Sequence, residues 1–149
     1  MANSIQQAKI AATPSEKVKT NELAGRVRVA FAEYEASAEQ STIHMFSLPN
    51  GARILGGRLA HDALGSSTTL SVGHNAYVDS SRSTVAADVD EFKAAASSAS
   101  ASSAAIATTI ALGENSVVNA DKDGIPVSVT LEGDNGNGNI QLHTTYIID

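Results

Sequence analysis

The feature that most constrains this chain is a period of two. In its last third Val127, Val129 and Leu131 alternate with Ser128, Thr130 and Glu132, and Ile140, Leu142, Tyr146 and Ile148 alternate with Gln141, His143, Thr145 and Ile147. Alternation of this kind puts one set of side chains on one face of an extended strand, so these stretches suit a half-buried sheet. Between them lies "GDNGNGN", residues 133–139, a run of turn formers that predicts a long hairpin with a flexible tip. The same alternation opens the body at "GRVRVAFAEYE", from Gly25, where Val27, Val29 and Phe31 are expected inside and Arg26, Arg28 and Ala30 outside. Tyr34 falls on the opposite parity, which predicts a bulge or the end of the strand.

Shorter signals fill the middle. "STIHMFSLPNGARILGGRLAH" holds two β-prone runs around Asn50-Gly51, a pair that supplies positive φ cheaply and predicts a hairpin. Gly56-Gly57 in the second run predicts a bulge or a close approach of another backbone. A smaller strand follows, with Leu70 and Val72 facing in and Thr69 and Ser71 out. In "TVAADVDEFKAAA", Val85, Val89 and Phe92 stand at helical intervals behind Thr84, a residue suited to an N-cap, which predicts one helix. Residues 94–105 are all Ala and Ser and can either prolong that helix or form a loop.

Residues 1–22 are polar, carry Pro14 and hold neither period, so they are expected to form an extended N-terminal arm outside a β-rich domain of residues 23–149. The expected fold class is mainly β: a β-sandwich or partly closed barrel of seven or eight short strands with one short helix. A length of 149 residues suits a single domain. Its core must be aliphatic, because the chain has no Trp and only three Phe and three Tyr. A core so thin in aromatics favours stabilisation by neighbouring copies.

Composition also excludes function classes. With no cysteine there are no disulfides, thiolate metal sites or cysteine nucleophiles. The opening residues hold no apolar run of signal or membrane length, so the chain is expected to be soluble, made in the cytoplasm and without a membrane partner. The net charge of -6 is uneven: residues 1–28 carry five Lys or Arg against two Glu, and residues 84–149 carry nine acids against two Lys. A chain acidic overall is poorly suited to nucleic acid, whereas its basic end suits an acidic protein surface.

The chemistry-bearing residues do not assemble into motifs. His61 and Asp62 are consecutive and therefore point to opposite faces of a strand, and neither Ser66 nor Ser67 sits in the G-x-S-x-G elbow of a serine hydrolase. His44, His74 and His143 lack the spacing that preassembles zinc ligands. Asp121, Asp123 and Glu132 fit three positions of a calcium loop, but Pro126 stands where that loop requires glycine, so a surface turn at Asp123-Gly124 is expected instead. "RILGGRLAHDALG" lacks the glycine order of a nucleotide-binding turn. No catalytic residue, cofactor or metal ligand is expected, and the chain reads as a non-enzyme.

"LPNGARILGGRLAHDALGSSTTLSVG", residues 48–73, resembles a recurring class of small virion structural proteins of tailed bacteriophages. In that class a strand of the form lP.GA.il runs into a loop and then a T.L.vG strand. The resemblance continues through Tyr77 to Asp79, Asp90 to Ala96 and the closing "LHTTYIID", and so touches most of residues 25–149. It implies a structural role in the virion, commonly on the head. The expectation is a capsid decoration, or cement, protein that binds the outer lattice formed by the major capsid protein and stabilises it. Such a protein would be a homo-oligomer, a trimer before a dimer, found on the capsid surface and in the host cytoplasm during assembly. Lys9, Lys17, Lys19 and Arg26 are the expected capsid contacts, set against acidic capsid loops. The alternative is a tail, neck or host-binding virion protein.

Overall fold

The structure is a computed structural model that describes residues 5–12, 14–17 and 25–148. Ile5–Ala11 form a short helix, α1. The body then runs through β1 (Val27–Leu48), β2 (Arg53–His61), β3 (Thr68–His74), β4 (Tyr77–Val78), β5 (Thr84–Val85), β6 (Asp88–Ser97), β7 (Ser102–Ile106), a 3-10 turn at Ile110–Leu112, and β8 (Ile125–Ile147). The fold is mainly β, a sheet curled into a half-barrel.

One strand organises the rest. β8 is 23 residues long and pairs antiparallel with β1 along one side for its whole length. Its other side is shared: residues 127–133 pair with β3 and residues 140–147 with β2. β6 extends the sheet beyond β3, and β7 extends it beyond β2. Each half of β8 thus lies at the heart of a four-strand layer.

Connectivity forces the two layers together. Leu48 pairs with Ile125 at one end of β8, and Arg53 pairs with Ile147 at the other. A straight strand of that length would span about 75 Å, yet five peptide units reach about 18 Å at most. β8 must therefore fold back on itself, with β1 alongside. The bend falls where β1 breaks register, between Ser37 and Ser41, opposite the glycine-rich residues 133–139. Ala38 is left-handed there, and the Gln40 side chain donates a hydrogen bond to the Gly133 carbonyl. Strands that pass from one layer to another turn at such bulges and bends.

The bend also exchanges the faces. On β8 the buried apolar residues include the odd Val127, Val129 and Leu131 before it and the even Ile140 and Leu142 after it. Both sets enter one cluster with Leu48, Ile54, Leu59, Leu70, Val72 and Ile106.

Several expectations change on this scaffold. Residues 133–139 are no hairpin tip, because they continue β8 and pair with β1 around the corner. The turn at Asn50-Gly51 exists, closed by Ala52 N–H donating to the Pro49 carbonyl, but it joins strands on opposite sides of β8 and makes no hairpin. Val27, Val29 and Phe31 face out while Ala30, Ala32 and Tyr34 pack toward the core, so the β1 faces are inverted and Tyr34 keeps the core parity. When both faces carry apolar residues, alternation finds the strand and leaves its orientation open.

The helix expected from Thr84 is β5 and β6. Only Phe92 of β6 is fully buried, at 3% exposure, and a strand here pairs the edge of β3 that a helix would leave bare. Tertiary pairing overrides alanine's helix propensity. The Ala/Ser run divides into the end of β6, a turn and β7. The helix lies instead within the arm, which is therefore not extended throughout: "QQAKIAA" is rich in good helix formers and Pro14 follows closely. Gly56-Gly57 behaves as expected, with a register shift between Ile54 and Gly56. A Cβ on Gly57 would lie 2.2 Å from the His143 carbonyl oxygen.

Gly133 marks the corner most sharply, with a φ of +92° and only 2.0 Å between a Cβ built there and the Ser67 carbonyl oxygen. Gly133→Ala is expected to cost about 3 kcal/mol through strain and collision together. The check is a drop in the urea midpoint of unfolding, with a far-ultraviolet spectrum that stays β-rich.

Candidate functional site

His61 closes β2 and Asp62 opens the loop to β3, so the corner fixes both. His61 Nδ1 donates to the Asp62 carbonyl at 2.8 Å. The Asp62 carboxylate accepts from the Asn139 N–H at 3.0 Å, and the Asp62 N–H donates to the Asn139 carbonyl, also at 3.0 Å. Asp62 is thereby committed to holding the corner. Ser67 is engaged in the same way, its carbonyl accepting from the Asp134 N–H. Ser102 stands across from His61 in the β2–β7 register. Ala101, Asn139 and Gln141 complete an open depression around them. No hydrogen bond among the described residues joins His61 to a serine hydroxyl, and the Asp62 carboxylate bonds the Asn139 N–H. A nucleophile, a base and an orienting acid in series are what acyl transfer needs, and this place does not provide them.

The remaining polar candidates are dispersed. His44 Nε2 meets Ser47 Oγ at 3.2 Å on the surface. His143 stands half-buried between Phe31 and Arg58 in the register of β1, β8 and β2. Asp121 accepts the Asp123 N–H at 2.9 Å and the Gly124 N–H closes the turn at 3.2 Å, while Glu132 lies away on β8. Among the described residues no group of three or more His, Asp and Glu side chains gathers as a metal would require.

His74 is the histidine with a built environment. It ends β3 on the core side, 3% exposed, with its ring 5.1 Å edge-on from Tyr77 and 6.5 Å from Phe92. Nδ1 donates to the Asn75 carbonyl at 2.9 Å, and Nε2 lies 2.8 Å from the Glu91 carboxylate on β6. Burial disfavours the charged ring, but the hydrogen bonds to Glu91 and the Asn75 carbonyl, with the charges of Glu91 and Asp88, outweigh it and raise the pKa above 6.5. Nothing in the sequence spacing links positions 74 and 91. Only the β3–β6 pairing brings them together.

Of the four basic residues singled out from the sequence, three lie among the described residues. Lys9 lies in the last turn of α1, Lys17 is exposed beyond it, and Arg26 is exposed at the entrance to β1. Lys19 lies outside the described residues. The surface that sequence reading missed is the outward row of Val27, Val29 and Phe31, exposed by 61%, 61% and 60%. The parity of Tyr34 was the signal for it.

No family model and no curated protein matches this chain. Solved structures do. A chain of the cyanophage Pam1 capsid asymmetric unit superposes with a TM-score of 0.65 at 22% identity, covering 99% of both chains. A chain of the capsid of Ralstonia phage GP4 superposes at 0.62 and 18% identity, over 90% of this chain and 92% of that one. A chain of the acidic stable capsid structure of Helicobacter pylori bacteriophage KHP30 does so at 0.54 and 18% identity, over 82% and 87%. The fold is one found in phage capsids.

Because the folded state raises the His74 pKa, the ion pair with Glu91 stabilises the protein fully below pH 6.5 and loses that contribution as the pH rises through the folded-state value. Thermal melts of the wild type are expected to fall between pH 5.5 and pH 8 by more than those of Glu91→Gln. Equal slopes for the two proteins would remove this role.

Proposed function

We propose that this protein is a non-enzymatic structural component of a phage virion, a decoration protein bound to the outer capsid lattice. The observation that carries the reading is the end-to-end likeness of the fold to a chain of a phage capsid asymmetric unit. The chemistry agrees with it. Polar groups at the corner hold backbone, and the open depression at His61 offers no reactive series.

Binding to a lattice rewards many modest contacts over one deep pocket. A homo-oligomer, a trimer or a dimer, presents several footholds at once, and each rebinds at high local concentration before the others let go. The arm contributes Lys9, Lys17 and Lys19, and the body contributes Arg26, all facing acidic loops of the major capsid protein. Such contacts steer association and weaken with salt.

Deleting residues 1–20 is expected to leave a folded body but to lower its occupancy on capsids, measured by co-sedimentation with shells that lack this protein. Unchanged occupancy would remove the arm from the mechanism. Copy number per particle tests the location: on the order of hundreds fits the capsid lattice, and about a dozen or fewer fits a tail or neck.

A further inference from the structure

Directly opposite residues of antiparallel strands project from the same face of a sheet. Through shared partners on β8, Val29 stands level with Gly56, Phe31 with Arg58, and Glu33 with Ala60, all on the face of the β1, β8 and β2 layer that points away from the core. Val29 and Phe31 are 61% and 60% exposed, and Glu33 and Arg58 are exposed beside them. Arg58 Nη1 donates to Ser103 Oγ at 2.9 Å, and Ser103 pairs with Ala60 on β7, so the guanidinium is held over this same face. An exposed apolar patch rimmed by charge is the mark of an interaction surface.

The placement of the charges makes the face self-complementary. The carboxylate belongs to the β1 column and the guanidinium to the β2 column, with β8 between them. A two-fold axis along β8, lying between two stacked copies, leaves each residue at its own height and exchanges those columns. Stacked sheets lie about 10 Å apart, a gap that a glutamate and an arginine bridge from opposite sides. In this arrangement Phe31 lies on the partner's Arg58, Val29 fills the space over the partner's Gly56, and Glu33, about 7 Å further along the strand, reaches the same guanidinium. Arginine over an aromatic ring is itself a favourable contact. Gln141, in the β8 column on the axis, meets its own copy, and an amide can both donate and accept. An axis across the strands instead sets β1 on β1 and leaves each glutamate two strands from an arginine. We propose that this face packs on the same face of a second copy of this chain about a two-fold axis along β8, with Phe31 and Glu33 of each protomer seated on the partner's Arg58. The contact is isologous, so it closes as a dimer and specifies the self-association within the virion reading.

Sedimentation velocity on the full chain tests this from about 1 μM to about 1 mM, where ordinary self-association is populated. The wild-type mass is expected to rise from the 15.3 kDa of the protomer to twice that value. Phe31→Arg, which sets cation against cation, should stay at the protomer mass with unchanged circular dichroism. Glu33→Arg and Arg58→Glu should each stay monomeric alone and form a dimer when mixed, since mixing restores both ion pairs. A wild type that is monomeric or trimeric throughout, a dimeric Phe31→Arg protein, or folded charge variants that fail to associate on mixing would each overturn the proposal. A monomeric wild type whose Phe31→Arg variant loses capsid occupancy would overturn it as well and give the face to the capsid protein. No capsid is present in the sedimentation runs, so their failure leaves the virion location standing, and absence from capsids with an intact dimer would count against that location alone.

Discussion

Everything in this fold hangs on β8 being hydrogen-bonded on both sides while folding back on itself. A central strand cannot leave its N–H and C=O groups unpaired, since each buried orphan costs more than a made bond returns. Here the demand is met by one strand on one flank and by two in succession on the other. Because those two are joined through the corner at Asp62 to Ser67, the bend in β8, the bulge in β1 and the loop between β2 and β3 are one feature. Left-handed or glycine-only backbone at Ala38, Gly65, Ser67, Gly133 and Gly138, together with the Asp62–Asn139 bonds, shapes it.

That corner explains which parts of the structure were legible in the sequence. The strands were, because alternation survives in each half of β8 and in the first half of β1. The route between them was not. Residues 133–139 carry the composition of a hairpin tip, and only a partner strand running past them distinguishes a bend from a reversal. Asn50-Gly51 misled in the same way, since a tight turn does not specify whether the strands it joins pair with each other. β6 was hidden because Ala-rich sequence favours a helix locally, and nothing local reports the vacant edge of β3.

The candidate site divides along the same line. At His61, adjacency separates the ring from Asp62 in sequence terms, and in the structure the Asp62 carboxylate accepts from the Asn139 backbone. The His74–Glu91 pair could not be anticipated, as it depends on a register between two strands separated by the β4–β5 hairpin. The outer row of β1 was visible as a row but assigned to the wrong side. Ala30 and Ala32 stand beside Thr144 and Leu142 in the ladder, while Val27, Val29 and Phe31 lie on the exposed face.

The lengthwise bonding of β1 to β8 has a mechanical side. Tension applied at Arg26 and directed away from the body runs along the axis of the first half of β1, against the unbroken ladder from Val27 to Ser37. The rungs then resist in shear, sharing the load, instead of tearing in sequence as they would if the strand were lifted sideways. A protein tethered through its leading segment is, on this geometry, pulled along its rungs and not across them.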